Sequence, residues 1–362
     1  MRWALCVGLA LAALDPAAAW AESCRAPEAV CAARAAVFPV ESHDPLASAT
    51  RIGPDLLVTN RHVVADRDGA TLLLPDGGRL EAEVVASAYP GDLALLRAAG
   101  LPSGPQLSPA PAARLADPAL RLYVLGVDTR RRTVRAHAPG QVILAPAQGH
   151  ALARLHHSAS ARPGTSGGAL VDQTGALYGI VTSGGEGRNE AVPAAALAIL
   201  LAGQSGPKAA QRMAELGRAY RACERALDRS DLAVLAKTCR ATGNRQFLEL
   251  AGQALGRAGE LADSAALLER AVALDPHALN SRLSLAITYV LMTRPDDAAP
   301  HLAWLIEVLP ADLQILNLAL QTGVRAEQQD LAVAALAGIE RYHPQSADPA
   351  RRFFETAFGA PE

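Results

Sequence analysis

Pro163-Gly164-Thr165-Ser166-Gly167-Gly168-Ala169-Leu170 is the stretch around which the rest of the chain is read. A serine preceded by Gly-X and followed by two glycines sits where backbone N–H groups can point at a developing oxyanion, because glycine allows bends that a Cβ would block. Ser166 is therefore the candidate nucleophile. The motif alone does not separate an active site from a Gly/Ser-rich turn. That distinction needs a base and an orienting carboxylate elsewhere in the chain.

From Val37 the sequence runs in short apolar or alternating segments, among them Leu56-Leu57-Val58-Thr59 and Leu80-Glu81-Ala82-Glu83-Val84-Val85. Turn residues such as Gly53-Pro54-Asp55 and Pro75-Asp76-Gly77-Gly78 separate them. Many short strands with no helical period between them predict an antiparallel barrel or sandwich. The strand ending at Thr59 leads directly into Asn60-Arg61-His62-Val63-Val64, which places His62 on a rigid element with a ring nitrogen able to face a cleft. Asp92 opens the apolar run Leu93-Ala94-Leu95-Leu96, where a shielded carboxylate can accept a hydrogen bond from an imidazole. Taken singly, His62 reads as a structural imidazole and Asp92 as a strand-start residue.

Taken together, the three blocks are more specific. Thr59-Asn60-Arg61-His62-Val63-Val64, Gly91-Asp92-Leu93-Ala94-Leu95-Leu96 and Gly164-Thr165-Ser166-Gly167-Gly168-Ala169-Leu170 resemble, in that order, the catalytic blocks of trypsin-fold serine proteases, most closely the bacterial HtrA-type branch. The resemblance covers roughly residues 37–200. It implies two six-stranded β-barrels, 37–118 and from 120 onward, joined by the Pro-rich stretch Leu101 to Pro111. It also implies His62, Asp92 and Ser166 as a triad, with an oxyanion hole at Gly164-Thr165-Ser166 whose donors are the N–H groups of Gly164 and Ser166. Ser160 then falls at the floor of the primary specificity pocket, with Thr182, Ser183 and Gly184 as its wall. No acid stands at Ser160, so small or medium uncharged residues are expected before the scissile bond. Thr165 departs from the Asp or Asn usual in the family, at a position where only the backbone is needed. His156 and His157 are read as strand residues on opposite faces.

The chain has 362 residues, is 50% hydrophobic and carries a net charge of −2, enough for more than one core and without the basic footprint of a nucleic-acid binder. Arg130-Arg131-Arg132 reads as a solvated turn. Residues 1–21, with Arg2, an apolar run from Trp3 to Leu14 and small residues up to Ala21, match a secretory signal. Asp15 and Pro16 interrupt that run too early for a membrane anchor, and no later stretch is long enough to span. The expected location is periplasmic or secreted. Of the four cysteines left after Cys6, Cys24 with Cys31 and Cys223 with Cys239 is the simplest of three pairings. No metal site and no cofactor is expected.

After Pro193 the β pattern gives way to segments of helical period. Gln204-Ser205-Gly206-Pro207 reads as the linker, and Met213 to Leu227 with Leu232 to Arg240 as a helical hairpin. Pro276, Pro310 and Pro344 recur every 34 residues, the tetratricopeptide period. The expected division is a signal over 1–21, an N-terminal segment over 22–36, the protease over 37–203, a hairpin over 208–243, and three repeats with a capping helix over 244–362. The fold class is thus all-β followed by all-α. The leading reading is an exported endopeptidase acting on polypeptides, with repeats that take substrate or a protein or peptide partner. The competing one is a proteolytically silent scaffold that binds through the repeats alone.

Overall fold

The computed structural model describes residues 24–185, 187–203 and 206–359. The expected signal segment, Gln204 and Ser205 lie outside the described residues. A short helix α1 (Glu28–Ala33) leads into six strands, β1 (Val37–Glu41), β2 (Ala47–Arg51), β3 (Leu56–Thr59), β4 (Gly69–Leu73), β5 (Arg79–Val85) and β6 (Ala94–Arg97), with the one-turn helix α2 (Arg61–Val64) after β3. They close into a barrel in the order β1-β2-β3-β6-β5-β4. The alternation is visible in β5, where Ala82 and Val84 are buried while Glu81 and Glu83 face water. β3 and β6 pair antiparallel with Thr59 opposite Ala94. The segments just beyond these two residues, carrying His62 and Asp92, therefore emerge at the same end of the barrel.

The second β unit contains β7 (Leu122–Asp128), β8 (Thr133–Ala136), β9 (Val142–Leu144), β10 (Leu155–His157), β11 (Ala169–Asp172), β12 (Leu177–Gly185) and β13 (Arg188–Pro193). Here the structure corrects the expectation of a second six-stranded barrel. The strands form a seven-stranded sheet in the order β8-β7-β11-β12-β13-β10-β9, with β8 and β9 unpaired to each other. A physical reason lies at β9, where Ile143 and Leu144 pack against the core of the helical region.

The helical region comprises α3 (Ala196–Ala202), α4 (Gly206–Asp228) and α5 (Leu232–Thr242), then α6 (Arg245–Ala258) with α7 (Leu261–Leu274), α8 (Leu279–Leu291) with α9 (Pro295–Val308), α10 (Leu313–Arg325) with α11 (Gln329–Tyr342), and finally α12 (Ala347–Phe358). Pro276 and Pro310 fall between successive hairpins and Pro344 between α11 and α12, where a missing N–H costs no helical hydrogen bond. At Gly252 a Cβ would lie 2.6 Å from Cγ of Leu268, so glycine sets the spacing of α6 and α7.

This region lies against the β units. On α4, a Cβ at Gly217 would come within 2.3 Å of the Ala65 carbonyl at the end of α2, and Met213 packs on the barrel core. Arg221 pairs with Asp66 at 3.1 Å, and His43 with Glu224. A second seam is ionic and buried: Arg245 of α6 pairs with Glu190 of β13 and lies 3.8 Å from Asp275, which accepts the Arg154 backbone N–H at 3.1 Å.

Both expected disulfides form, Cys24–Cys31 and Cys223–Cys239. The second ties α4 to α5 across a sequence separation of 16. A loop of that length restricts the unfolded chain by about 3 kcal/mol in the chain-entropy treatment. Replacing both Cys223 and Cys239 by alanine is expected to lower the unfolding free energy by about that amount under non-reducing conditions, which an equilibrium urea unfolding curve checks.

Candidate active site

The barrel end that carries His62 and Asp92 is held by the two residues preceding the histidine. Asn60 Nδ2 donates to the Asp92 carbonyl oxygen at 2.9 Å. The buried Arg61 guanidinium donates to the carbonyls of Tyr89 at 3.3 Å and Gly91 at 3.5 Å. The β3–α2 corner thus grips the loop before β6 over its last residues, and Asp92 meets His62 at two points. Its Oδ1 accepts the His62 backbone N–H at 3.1 Å, and its Oδ2 lies 2.9 Å from Nδ1. Sequence reasoning missed Asn60 and Arg61, although both stand next to the histidine.

The electrostatics follow from burial opposed by pairing. Burial alone would raise the Asp92 carboxyl, but the facing imidazole, Arg154 and the Thr182 hydroxyl outweigh it and hold its pKa at about 2. Burial likewise disfavours the His62 cation, yet the Asp92 carboxylate reverses that and raises the imidazole above its ordinary value of 6.5. With Nδ1 engaged by the carboxylate, Nε2 is the nitrogen left for proton exchange.

Ser166 sits in the turn before β11. Pro163 and Gly164, the latter at φ +94°, build a turn closed by the Thr165 N–H donating to the Arg162 carbonyl at 3.0 Å. Thr165 also donates its hydroxyl to that carbonyl at 2.7 Å, which ties the turn without the carboxylate or amide usual at this position. Its N–H is therefore committed. Of the expected oxyanion loop, the N–H groups of Gly164 and Ser166 are the two without a backbone acceptor among the described residues. At Gly167, φ is +81° and a Cβ would fall 2.0 Å from the Ser48 carbonyl, so only glycine fits.

Three buried hydroxyl-bearing residues of the barrel grip this turn. Ser48 donates its backbone N–H to the Ser166 carbonyl at 2.8 Å and its Oγ to the Gly164 carbonyl at 2.7 Å, while accepting the Val127 N–H at 3.0 Å. Thr50 Oγ1 donates to the Gly167 carbonyl at 2.9 Å, and Thr59 Oγ1 to the Ser48 carbonyl at 2.8 Å.

Thr182 joins the parts. Its Oγ1 donates to Asp92 Oδ2 at 2.7 Å, and its carbonyl accepts the Ser166 hydroxyl at 3.3 Å. The structure thus brings His62 and Asp92 into direct contact and Ser166 onto Thr182, a partner of Asp92. Among the described residues the hydroxyl's partner is Thr182 and not the imidazole.

Of the expected specificity wall, Thr182 is buried and Gly184 exposed, while the side chain of Ser183 lies outside the described residues. Ser160 is half-buried, with its N–H on the Ala138 carbonyl. Gly184 instead lines a groove with residues of α6, α8 and α10, an association that no motif announces. His156 and His157 are both fully buried, and His156 lies 3.7 Å from both Glu190 and Asp275 in the inter-region ion network. Among the described residues no cluster of three or more His, Cys, Asp or Glu side chains is placed to hold a metal ion.

A closed barrel and an open sheet meeting at this cleft make a trypsin-like fold, and the family model described as the trypsin-like peptidase domain matches residues 47–180. Over 171 residues the chain is 30% identical to serine endoprotease DegS of Salmonella typhimurium, a match covering 46% of this chain and 47% of that protein. The chain thus spans about half the length of the curated relative it matches. Similar solved structures include the Rv3671c protease of M. tuberculosis in its inactive form, at 25% identity and a TM-score of 0.41 over 55% of this chain and all of that one. Another is the HtrA-type protease AlgW with tripeptide, at 27% identity and a TM-score of 0.42 over 48% of this chain and 62% of that one.

Two expectations follow. In an NMR titration the His62 imidazole should lose its proton above pH 6.5, and Asp92→Asn should move that midpoint down, because burial is then opposed only by the more weakly acting Asp44 and Glu224. Since the folded state holds the His62 proton more tightly and the Asp92 proton more weakly than the unfolded chain, this pair stabilises the fold fully between the unfolded carboxyl and histidine pKa values. The histidine contribution is lost as pH rises through its folded value. Ser48→Ala leaves the Gly164 carbonyl and Val127 N–H without their partner and should destabilise by about 1–3 kcal/mol, measurable by urea unfolding.

Proposed function

We propose that the chain is an exported serine endopeptidase that hydrolyses polypeptides through His62, Asp92 and Ser166. The observation that carries this reading is the two-point clamp of Asp92 on His62. Ser166 Oγ attacks the scissile carbonyl while His62 Nε2 takes its proton. Asp92 fixes the tautomer and stabilises the imidazolium, and the N–H groups of Gly164 and Ser166 receive the oxyanion. His62 then protonates the departing amine, and water repeats the sequence on the acyl-enzyme. Ser160, Thr182, Ser183 and Gly184 form the pocket for the residue before the scissile bond, which without an acid takes small or medium uncharged side chains.

Export is supported by the N-terminal sequence and by two disulfides, which persist in oxidising compartments. Among the described residues no helix is long and apolar enough to cross a membrane. The 34-residue spacing of the prolines and the helical hairpins between them support a tetratricopeptide-type region that binds polypeptide. One observation favours the silent-scaffold alternative, namely the Ser166 hydroxyl resting on the Thr182 carbonyl.

A fluorophosphonate probe separates the two readings. The native chain should label and Ser166→Ala should not, with peptide hydrolysis falling on the order of 10⁶-fold in the variant, as when such triads lose the nucleophile. An unlabelled native chain that also fails to cleave unfolded polypeptide would leave the scaffold reading.

A further inference from the structure

β12 leaves β11 behind partway along its length. Its pairing with β11 runs from Leu177 to Ile180, whereas its pairing with β13 continues to Gly185. Thr182, Ser183 and Gly184 thus have a strand neighbour on one side only among the described residues, and this open edge starts beside Ser166. An exposed edge of backbone N–H and C=O groups is a template for an added strand.

The edge does not end at the protease unit. Gly184 and Arg188 share a groove of about 610 Å³ with α6, α8 and α10 of the helical region. The junction is close: Gln246 of α6 stands 3.5 Å from the Thr182 hydroxyl that donates to Asp92. Gln246, Gln253, Asn280 and Gln314 present uncharged amides along the groove, each with donor and acceptor capacity suited to peptide backbone whatever its side chains. Leu250 and Leu291, 40% and 56% exposed, add apolar contact. Glu249 in the wall is already paired with Arg245, and Arg188 with Asp312. The groove is fixed in register with β12 by the buried contacts of Arg245 with Glu190 and Asp275, and by Arg188–Asp312 at 2.8 Å. Binding there does not require the helices to be ordered first.

We infer that the open edge of β12 and the helical groove are one continuous site, occupied by the acyl-side half of an extended, apolar polypeptide substrate. This rests on the peptidase reading above. The direction follows from the chemistry: the leaving amine takes its proton from His62 on the barrel side of Ser166, so the acyl half lies on the opposite side, along β12. The groove then acts as an exosite, selecting unfolded segments with apolar side chains several residues before the cleaved bond.

The test compares kcat/KM for a tetrapeptide-length fluorogenic substrate, the same peptide extended by eight apolar-rich residues on the acyl side, and one extended equally on the leaving side. Acyl-side extension should raise kcat/KM at least 10-fold, leaving-side extension should not, and the long-to-short ratio should return towards one in Leu250→Asp/Leu291→Asp. Gln253→Ala, a milder change, should lower the same ratio if the double variant does not fold. Equal turnover of short and long peptides, or a ratio unchanged in folded variants, overturns the proposal. Anisotropy of the labelled long peptide on Ser166→Ala distinguishes failure of the parent reading. Groove-dependent binding with no cleavage of any peptide by the native chain sinks the peptidase and leaves the groove as a binding site. Groove-dependent binding of the long peptide that leaves short-peptide cleavage uninhibited makes the occupant a separate partner and overturns the continuity.

Discussion

The Ser166 turn and the His62–Asp92 pair arise from different sheets, and what fixes their relation is a small set of buried hydroxyl contacts. Ser48 and Thr50 of β2 reach out of the closed barrel to bond the backbone of the turn around Ser166, and Thr59 of β3 secures Ser48. All three are fully buried, so each hydrogen bond is made without competition from water, and each polar group left unmatched there would be costly. The His62–Asp92 clamp sits at the end of β3 and before β6 of the same barrel. One frame therefore positions both the His62–Asp92 pair and the turn that carries Ser166.

The second seam is ionic. Arg245, Glu190, Asp275 and His156 are nearly inaccessible, and Arg245 meets acidic groups from its own helix, from β13 and from the turn after α7. A buried ion pair gains little over a hydrophobic one, but removal of a single partner strands a charge at a penalty of about 3–5 kcal/mol. Such a network tolerates few relative placements of its members. Its effect is to set the angle and register at which the helices meet the sheet, which neither the apolar packing of Ile143 and Leu144 nor a flexible linker would specify alone.

The sequence exposed what depends on local pattern. The strands of the first unit, the helix after β3, the helical hairpins between spaced prolines and the nearby cysteine pairs all follow from residues close in the chain. His62, Asp92 and Ser166 were visible because each lies in a short block whose neighbours prescribe its local conformation. The open second sheet was not, because β9 is drawn towards the helices by contacts with residues far ahead in sequence. Nor was the role of Arg245 or Asp275, since an Arg or Asp in a helical stretch ordinarily reads as a solvated charge. Gln246 beside Thr182 likewise arises only from the docking of two folds, for which single-chain periodicity holds no signal.

The close passage of α4 over α2 at Gly217 has a wider meaning. Because backbone lies on backbone there, with room for no side chain, the helical arm covers the corner from which the His62 imidazole projects. The arm is thus packed onto the β units rather than an appendage on a tether. Exchange of this protease core onto another helical array by recombination would need that contact rebuilt.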